Sequence, residues 1–402
     1  MSHQLKSRGI SRPLRRYCTG IRVLALIGGC ILIWFVHVLS SPGHGNGDTH
    51  KPGPEVLHDS SAMQWWARFL GSGMGPRLTS IKDGHIEKNK YGVPSKVDIG
   101  LNMNKDEVMC KIQGILDAFI SKREGPFRAA NWSQYLPFGN MIFDKIQEKT
   151  TCAVVSSAGS MRGSGFGKDI DGHDLILRFN DAPTEGYEVD VGNKTTLRLL
   201  NSQVFVKRKN FFFNSQQNLG QQFIIWDPTK YNANLSEWYT KPEFDFFSQF
   251  REWVDSMIGK EAFILHPGFL WKVWTVIQAF NTEKIQPHPP SSGSIGVALL
   301  MNVCQKIDLY GFLSVEIREL CHYYDDSIHD PACTFGAYHP LIFEKKMWAF
   351  IAQQSMIEKH RDKLTIFPND PAYCIKPMSS YPLRSLWDIW YKLFPVKLHK
   401  GD

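Results

Sequence analysis

Six short apolar runs, at residues 152–155, 175–179, 196–200, 223–226, 262–265 and 306–310, are spaced along the chain by stretches such as 270–280 and 295–304 that carry helical periodicity. Strands that alternate with helices imply an α/β fold, a Rossmann-like parallel sheet flanked by helices in a single domain. Ahead of the first run, Val108, Ile112, Ile115, Leu116, Phe119 and Ile120 recur at helical spacing. They predict a first core-facing helix and set the domain at residues 104–376. With 402 residues, 26 Phe and 12 Trp, the chain can bury a substantial core. No repeat of 20 to 50 residues is visible.

Upstream, residues 21–39 (IRVLALIGGCILIWFVHVL) are almost wholly apolar and long enough to cross a bilayer as a helix. Six cations and no acid occupy the first 22 residues, so most of the net charge of +7 sits there and the rest of the chain is close to balanced. That distribution gives no support to nucleic-acid binding. Cations before the apolar run and none just after it predict a cytosolic tail (1–20), a signal anchor (21–39) and a lumenal remainder. A cleaved signal peptide fits less well, because the run exceeds a signal core and no small-x-small site follows cleanly. Residues 40–103, rich at first in Gly, Pro, His and Asp, read as a stem.

Six of the eight cysteines (Cys110, Cys152, Cys304, Cys321, Cys333 and Cys374) fall on the proposed lumenal side. An even number in an oxidising compartment points to disulfides, with fifteen pairings open to six cysteines. The CxxC spacing of structural zinc sites is absent. Sequons at Asn131, Asn193 and Asn234 agree with a secretory topology.

The first apolar run leads into Ser156-Ser-Ala-Gly-Ser160, a small-residue turn in which free backbone N–H groups and hydroxyls can face a phosphate. The nearby GSGFG is neither a Walker loop nor a true GxGxxG, so this feature alone is only suggestive. The stretch from Cys152 to Gln203, CAVVSSAGSMRGSGFGKDIDGHDLILRFNDAPTEGYEVDVGNKTTLRLLNSQ, resembles the large sialylmotif of the animal sialyltransferases. Pro289-Pro290-Ser-Ser-Gly293, continuing through Cys304 to Asp308-Leu-Tyr-Gly-Phe312, resembles the small motif. His322-Tyr-Tyr-Asp325 resembles the third, and His339-Pro-Leu-Ile-Phe-Glu344 the very small motif. Four motifs in order make a specific signal. Within the family the likeness is greatest to β-galactoside α-2,6-sialyltransferases, through LRFNDAPTEGYEVDVGNKTTLRLLNSQ, Trp226-Asp-Pro228, residues 285–293 and Gly336-Ala-Tyr-His-Pro340.

The resemblance implies transfer of sialic acid from CMP-sialic acid to terminal galactose of glycoprotein glycans, inverting and without a metal or other cofactor, at the Golgi membrane. It leaves a homo-oligomer open. It assigns His339 as the catalytic base, whose ordinary pKa of ~6.5 suits proton abstraction near neutrality. Glu344 is expected to be structural, since a single displacement needs one base. Ser157, Asn180, Asn201, Ser291, Ser292, Gly293 and Thr334 match donor-binding positions, and Gln203 and Tyr338 acceptor contacts. Asp169-Ile-Asp171, which looks like the metal motif of other glycosyltransferases, falls inside the large sialylmotif and is not expected to bind metal. The acceptor-side stretch departs from the family: Phe244 stands in Lys241-Pro-Glu-Phe-Asp245 where a Tyr is typical. The implied disulfides are Cys152–Cys304, Cys321–Cys333 and Cys110–Cys374.

Two other readings compete. A lumenal hydrolase using His339 lacks a nucleophile elbow, and a non-catalytic lectin on the same fold has no reason to keep the motif set unbroken. Beyond the resemblance, residues 377–402 form an extension in which Leu383, Leu386, Trp387, Trp390, Leu393 and Phe394 predict an amphipathic helix.

Overall fold

The computed structural model describes residues 88–136, 151–214, 221–256, 262–313, 323–325, 338–352 and 363–374. The basic tail, the apolar run at 21–39 and the extension 377–402 lie outside them, as do Cys321, Cys333 and Thr334. Among the described residues no helix is long and apolar enough to cross a membrane.

Each of the six apolar runs is a strand: β1 Thr151–Val155, β2 Leu175–Phe179, β3 Leu197–Asn201, β4 Gln222–Trp226, β5 Ala262–Ile264 and β6 Lys306–Tyr310. A seventh, β7 Lys363–Ile366, has no counterpart among the expected runs. The sheet order is β5-β4-β3-β2-β1-β6-β7, parallel throughout except that β7 lies antiparallel to β6. The sheet is therefore mixed at one edge. β2 is buried along its whole length and β1, β4 and β6 along all but their first residue, as expected for strands covered on both faces.

Five helices matter to the site: α1 Lys105–Gln113, α2 Ser202–Lys207, α3 Pro267–Phe280, α4 Ser292–Leu300 and α5 Leu341–Ile351. α3 starts where His266 accepts a bond from the Gly268 N–H and Pro267 supplies the preset first turn. Its residues are apolar on nearly every side, including Trp271, Trp274, Ile277 and Phe280, which suits a helix inside the core. α4 is capped by Ser291, whose hydroxyl accepts from the Ser294 N–H, and runs through small and aliphatic residues.

The expected first helix stops early. α1 ends at Gln113 with Gly114 as its cap, and Leu116 is 65% exposed. The following residues are extended along the edge of the sheet: Ile120 N–H donates to the Ile264 carbonyl, His266 N–H donates to that of Ala118, and Phe119 bridges Leu265. Pairing with the open edge of β5 wins over helical periodicity, because unpaired edge groups need partners. α3 starts three residues before the run at 270–280, and α4 ends four residues before Cys304.

Packed chain also begins before Asn104. Val93 and Met103 belong to the main core, Gly100 and Leu101 donate to the carbonyls of Asn281 and Ala279, and Tyr231 N–H donates to the Tyr91 carbonyl. Two of the disulfides implied by the resemblance are present, Cys110–Cys374 and Cys152–Cys304. The first ties α1 to the short helix at Pro371–Cys374 that follows β7, and the second joins β1 to the turn after α4.

α4 crosses the sheet close to β2 because Gly296 has no side chain. A Cβ there would lie 2.6 Å from Leu177 Cδ2 and 3.0 Å from Phe179 Cε1. Gly296→Ala should therefore force α4 outward and destabilise the protein by about 1–3 kcal/mol, the usual cost of overpacking a dense core. Urea unfolding measures this, and an unchanged midpoint would show that α4 has room.

Candidate active site

All parallel strands end at one edge of the sheet, and the chain reverses its winding direction between β1 and β6. Open α/β sheets place their ligand crevices at such a reversal, outside the carboxyl ends of the strands. A cavity of about 660 Å³ lies here. It gathers Ser157 after β1, Asn180 after β2, Asn201 and Gln203 after β3, Ser291, Ser292 and Gly293 at the start of α4, and Tyr338 and His339 before α5. Every site residue expected from the sequence lines this one cavity except Thr334, which lies outside the described residues.

Asn180 adopts φ of +48°, a left-handed conformation that Asn tolerates better than most residues. Three bonds hold it: its N–H donates to the Leu199 carbonyl, its side-chain oxygen accepts from the Asn201 N–H at 2.9 Å, and its carbonyl accepts from Arg198 at 2.7 Å. Asn201 caps α2 by accepting from the Gln203 N–H at 2.8 Å. Trp226 at the end of β4 donates its indole N–H to Ser292 Oγ at 3.1 Å, so β4 touches the tip of α4.

Glu344 on α5 is fully buried and reaches back to that tip. It accepts from Ser291 N–H at 2.8 Å, Ser291 Oγ at 2.5 Å and Ser294 Oγ at 2.7 Å. Burial pushes its pKa above the ordinary carboxylate value, and the Ser291 and Ser294 donors pull against that shift. The Ser291 N–H can only donate and both hydroxyls can donate, so three donors are available to the Glu344 oxygens.

His339 lies between α4 and α5, with Nδ1 at 2.9 Å from the Pro289 carbonyl. A carbonyl can only accept, so Nδ1 carries the proton and Nε2 keeps its lone pair. Burial lowers the pKa of His339 below 6.5, and the Pro289 bond opposes this without cancelling it. The neutral ring therefore persists further into acid than a free imidazole would.

Asp169 and Asp171 stand away from the cavity wall. Asp169 accepts from Tyr310 at 2.7 Å and Lys363 at 2.6 Å, while Asp171 accepts from the N–H groups of Asn193 and Lys194. Burial alone would raise the pKa of Asp169, but Lys363 and Tyr310 outweigh it and lower it. Among the described residues no group of three or more His, Cys, Asp or Glu could hold a metal ion. The sequon residues Asn131, Asn193 and Asn234 are all exposed.

The cavity is also lined by residues that the motifs did not assign: Lys90, Tyr91, His288 and Lys345, together with Glu243 and Phe244. Lys345 follows Glu344 directly and its motif could have drawn attention to it. Tyr91 carried no signal, because it lies over a hundred residues from Gln203 and is brought near only by folding.

The profile of glycosyltransferase family 29 (sialyltransferase) matches residues 131–356. A β-galactoside α-2,6-sialyltransferase 2 of Danio rerio is 38% identical over 311 residues, 76% of this chain and 59% of that protein. The Homo sapiens protein of the same name is 35% identical over 321 residues, 79% of this chain and 60% of its own length. A β-galactoside α-2,6-sialyltransferase 1 of Mus musculus is 39% identical over 295 residues, 73% of each chain. The match thus spans about three fifths of the first relatives and nearly three quarters of the last. With its profile match covering more than half the sequence, the chain belongs to glycosyltransferase family 29, the sialyltransferases.

Proposed function

We propose that this chain is a Golgi sialyltransferase, held by a single span at residues 21–39, that moves sialic acid from CMP-sialic acid to terminal galactose of glycoprotein glycans. The observation that carries this reading is His339: its Nδ1 proton is committed to Pro289, its Nε2 is free to accept, and it lines a cavity at the β1/β6 crevice. The names of the relatives favour α-2,6 linkage.

In this reading the acceptor hydroxyl gives its proton to Nε2 of His339 as its oxygen attacks the anomeric carbon of sialic acid. The bond from that carbon to the phosphate oxygen breaks, and CMP leaves with the electron pair. Attack opposite the leaving group inverts the centre. The phosphate is held at the N-terminus of α4, where Ser292 and Gly293 present hydroxyl and backbone donors at the positive end of a nine-residue helix. Asn180, Asn201 and Ser157 read the nucleotide with amide and hydroxyl groups. Glu344 orients the tip of α4 and exchanges no proton with substrate. Gln203 and Tyr338 contact the acceptor.

His339→Ala should remove transfer by at least ~10²-fold while CMP binding persists, because the base acts on the acceptor hydroxyl. By contrast, Asn180→Ala or Ser292→Ala should weaken CMP binding by about 0.5–1.5 kcal/mol for each lost bond. Near-normal turnover by the His339 variant would overturn the assignment. Because the His339 pKa is depressed, the acid limb of kcat/KM should fall below pH 6.5.

Glu344→Gln puts an amide N–H where three donors converge, so the KM for CMP-sialic acid should rise about tenfold, as for one lost charge-assisted bond. The acid limb should stay in place. A limb that shifts or disappears would make Glu344 a proton donor or acceptor in the reaction.

Transfer should also continue in excess EDTA. Asp169 and Asp171 are each taken by protein donors away from the cavity, and Ser, Asn and helix N–H groups remain to hold the leaving phosphate. Loss of activity on chelation, restored by a divalent cation, would return those aspartates to consideration as ligands.

A further inference from the structure

Asp227 is 1% exposed and lines no part of the cavity, yet it holds two of the cavity's walls together. Its Oδ1 accepts from Ser202 Oγ at 2.5 Å and from the Phe244 N–H at 3.3 Å. Its Oδ2 accepts from the Trp238 indole at 2.9 Å and from the Glu243 N–H at 3.0 Å. Glu243 and Phe244 form one wall of the cavity, and Gln203 and Val204, which follow Ser202 on α2, form another. A buried carboxylate receiving four donors from three separate segments fixes their mutual spacing. Replacing it would leave several buried donors unpaired.

We propose that Asp227 is a positioning residue that sets the width of the acceptor end of the cavity and thereby its selection among galactose-terminated acceptors. This rests on the reading of the cavity as a sialyltransferase site with its acceptor end at Gln203, Glu243 and Phe244. The donor end is built by other bonds: Asn180 is held by Arg198, Leu199 and Asn201, and Ser291 by Glu344. Asp227 touches none of them. Its side-chain bonds therefore act mainly on the acceptor end, with the donor end reached only through the backbone neighbours Trp226 and Asn201.

The test uses the full-length protein and separate titrations of each substrate with the other saturating, plus CMP binding and thermal unfolding. Asp227→Asn keeps the shape of the side chain and replaces one accepting oxygen with a donor. The KM for a galactose-terminated disaccharide should rise about tenfold, the scale of one lost bond to a charged group. The KM for CMP-sialic acid and the Kd for CMP should stay within about twofold, a margin far below the loss of one such bond. Ser202→Ala removes only the link to α2 and should raise the acceptor KM by a smaller factor, again leaving the donor untouched. If Asp227→Asn does not fold, Ser202→Ala decides alone. Equal losses for both substrates, or an unchanged acceptor KM in a folded variant, would overturn the proposal. A wild-type chain that transfers no sialic acid to any galactose-terminated acceptor would instead overturn the reading of the site, and the proposal with it.

Discussion

The Glu344 carboxylate is the joint on which the site depends. It sits on α5, takes three donors from the tip of α4, and so joins two helices that the sequence separates by some fifty residues. His339 precedes α5 and Ser291, Ser292 and Gly293 open α4, so one buried interaction sets the distance between the proposed base and the proposed phosphate site. Trp348 adds a second link by donating to Ser294 Oγ at 2.8 Å. A charge buried this deeply is costly unless each lone pair finds a donor, and here three do.

The sheet supplies the other half of the site through two buried cations. Arg178 and Arg198 are register partners on β2 and β3, each almost fully buried. Burial lowers the pKa of both to about 10, with the repulsion of Arg178 adding to the shift at Arg198. Both remain charged at neutral pH. Arg198 bonds the carbonyls of Asn180 and Ala182, and Arg178 bonds those of Val191 and Lys194. Cations surrounded by carbonyl oxygens rigidify the connection between β2 and β3. A left-handed Asn180 can persist there because its surroundings determine it.

The strands were legible because apolar runs of four or five residues between helical stretches have few other uses. The site residues were legible through the motifs, and folding brings nine of the ten assigned donor, acceptor and catalytic positions to one cavity. The sequence misled at residues 114–120, where apolar spacing fits a helix but the edge of β5 offers backbone partners that local periodicity cannot register. β7 escaped because Lys363-Leu-Thr-Ile366 is short and alternates, and its partner β6 lies more than fifty residues earlier. The role of Asp227 was hidden for a related reason: its four donors come from positions 202, 238, 243 and 244 and converge only in three dimensions.

Residues 88–103, read from the sequence as the last part of a stem, are packed against the domain and are not a passive leash. Lys90 and Tyr91 line the cavity, Lys90 pairs with Glu243, and Tyr91 packs its ring against Trp271 and His288. Farther on, Gly100 and Leu101 are bonded to the end of α3. One stretch of chain therefore both lines the cavity and is bonded to the core. Proteolysis can preserve the cavity only when the cut falls upstream of this stretch. A cut between Tyr91 and Asn104 would leave a domain that keeps His339 and its α4 tip but loses Lys90 and Tyr91 from the cavity wall.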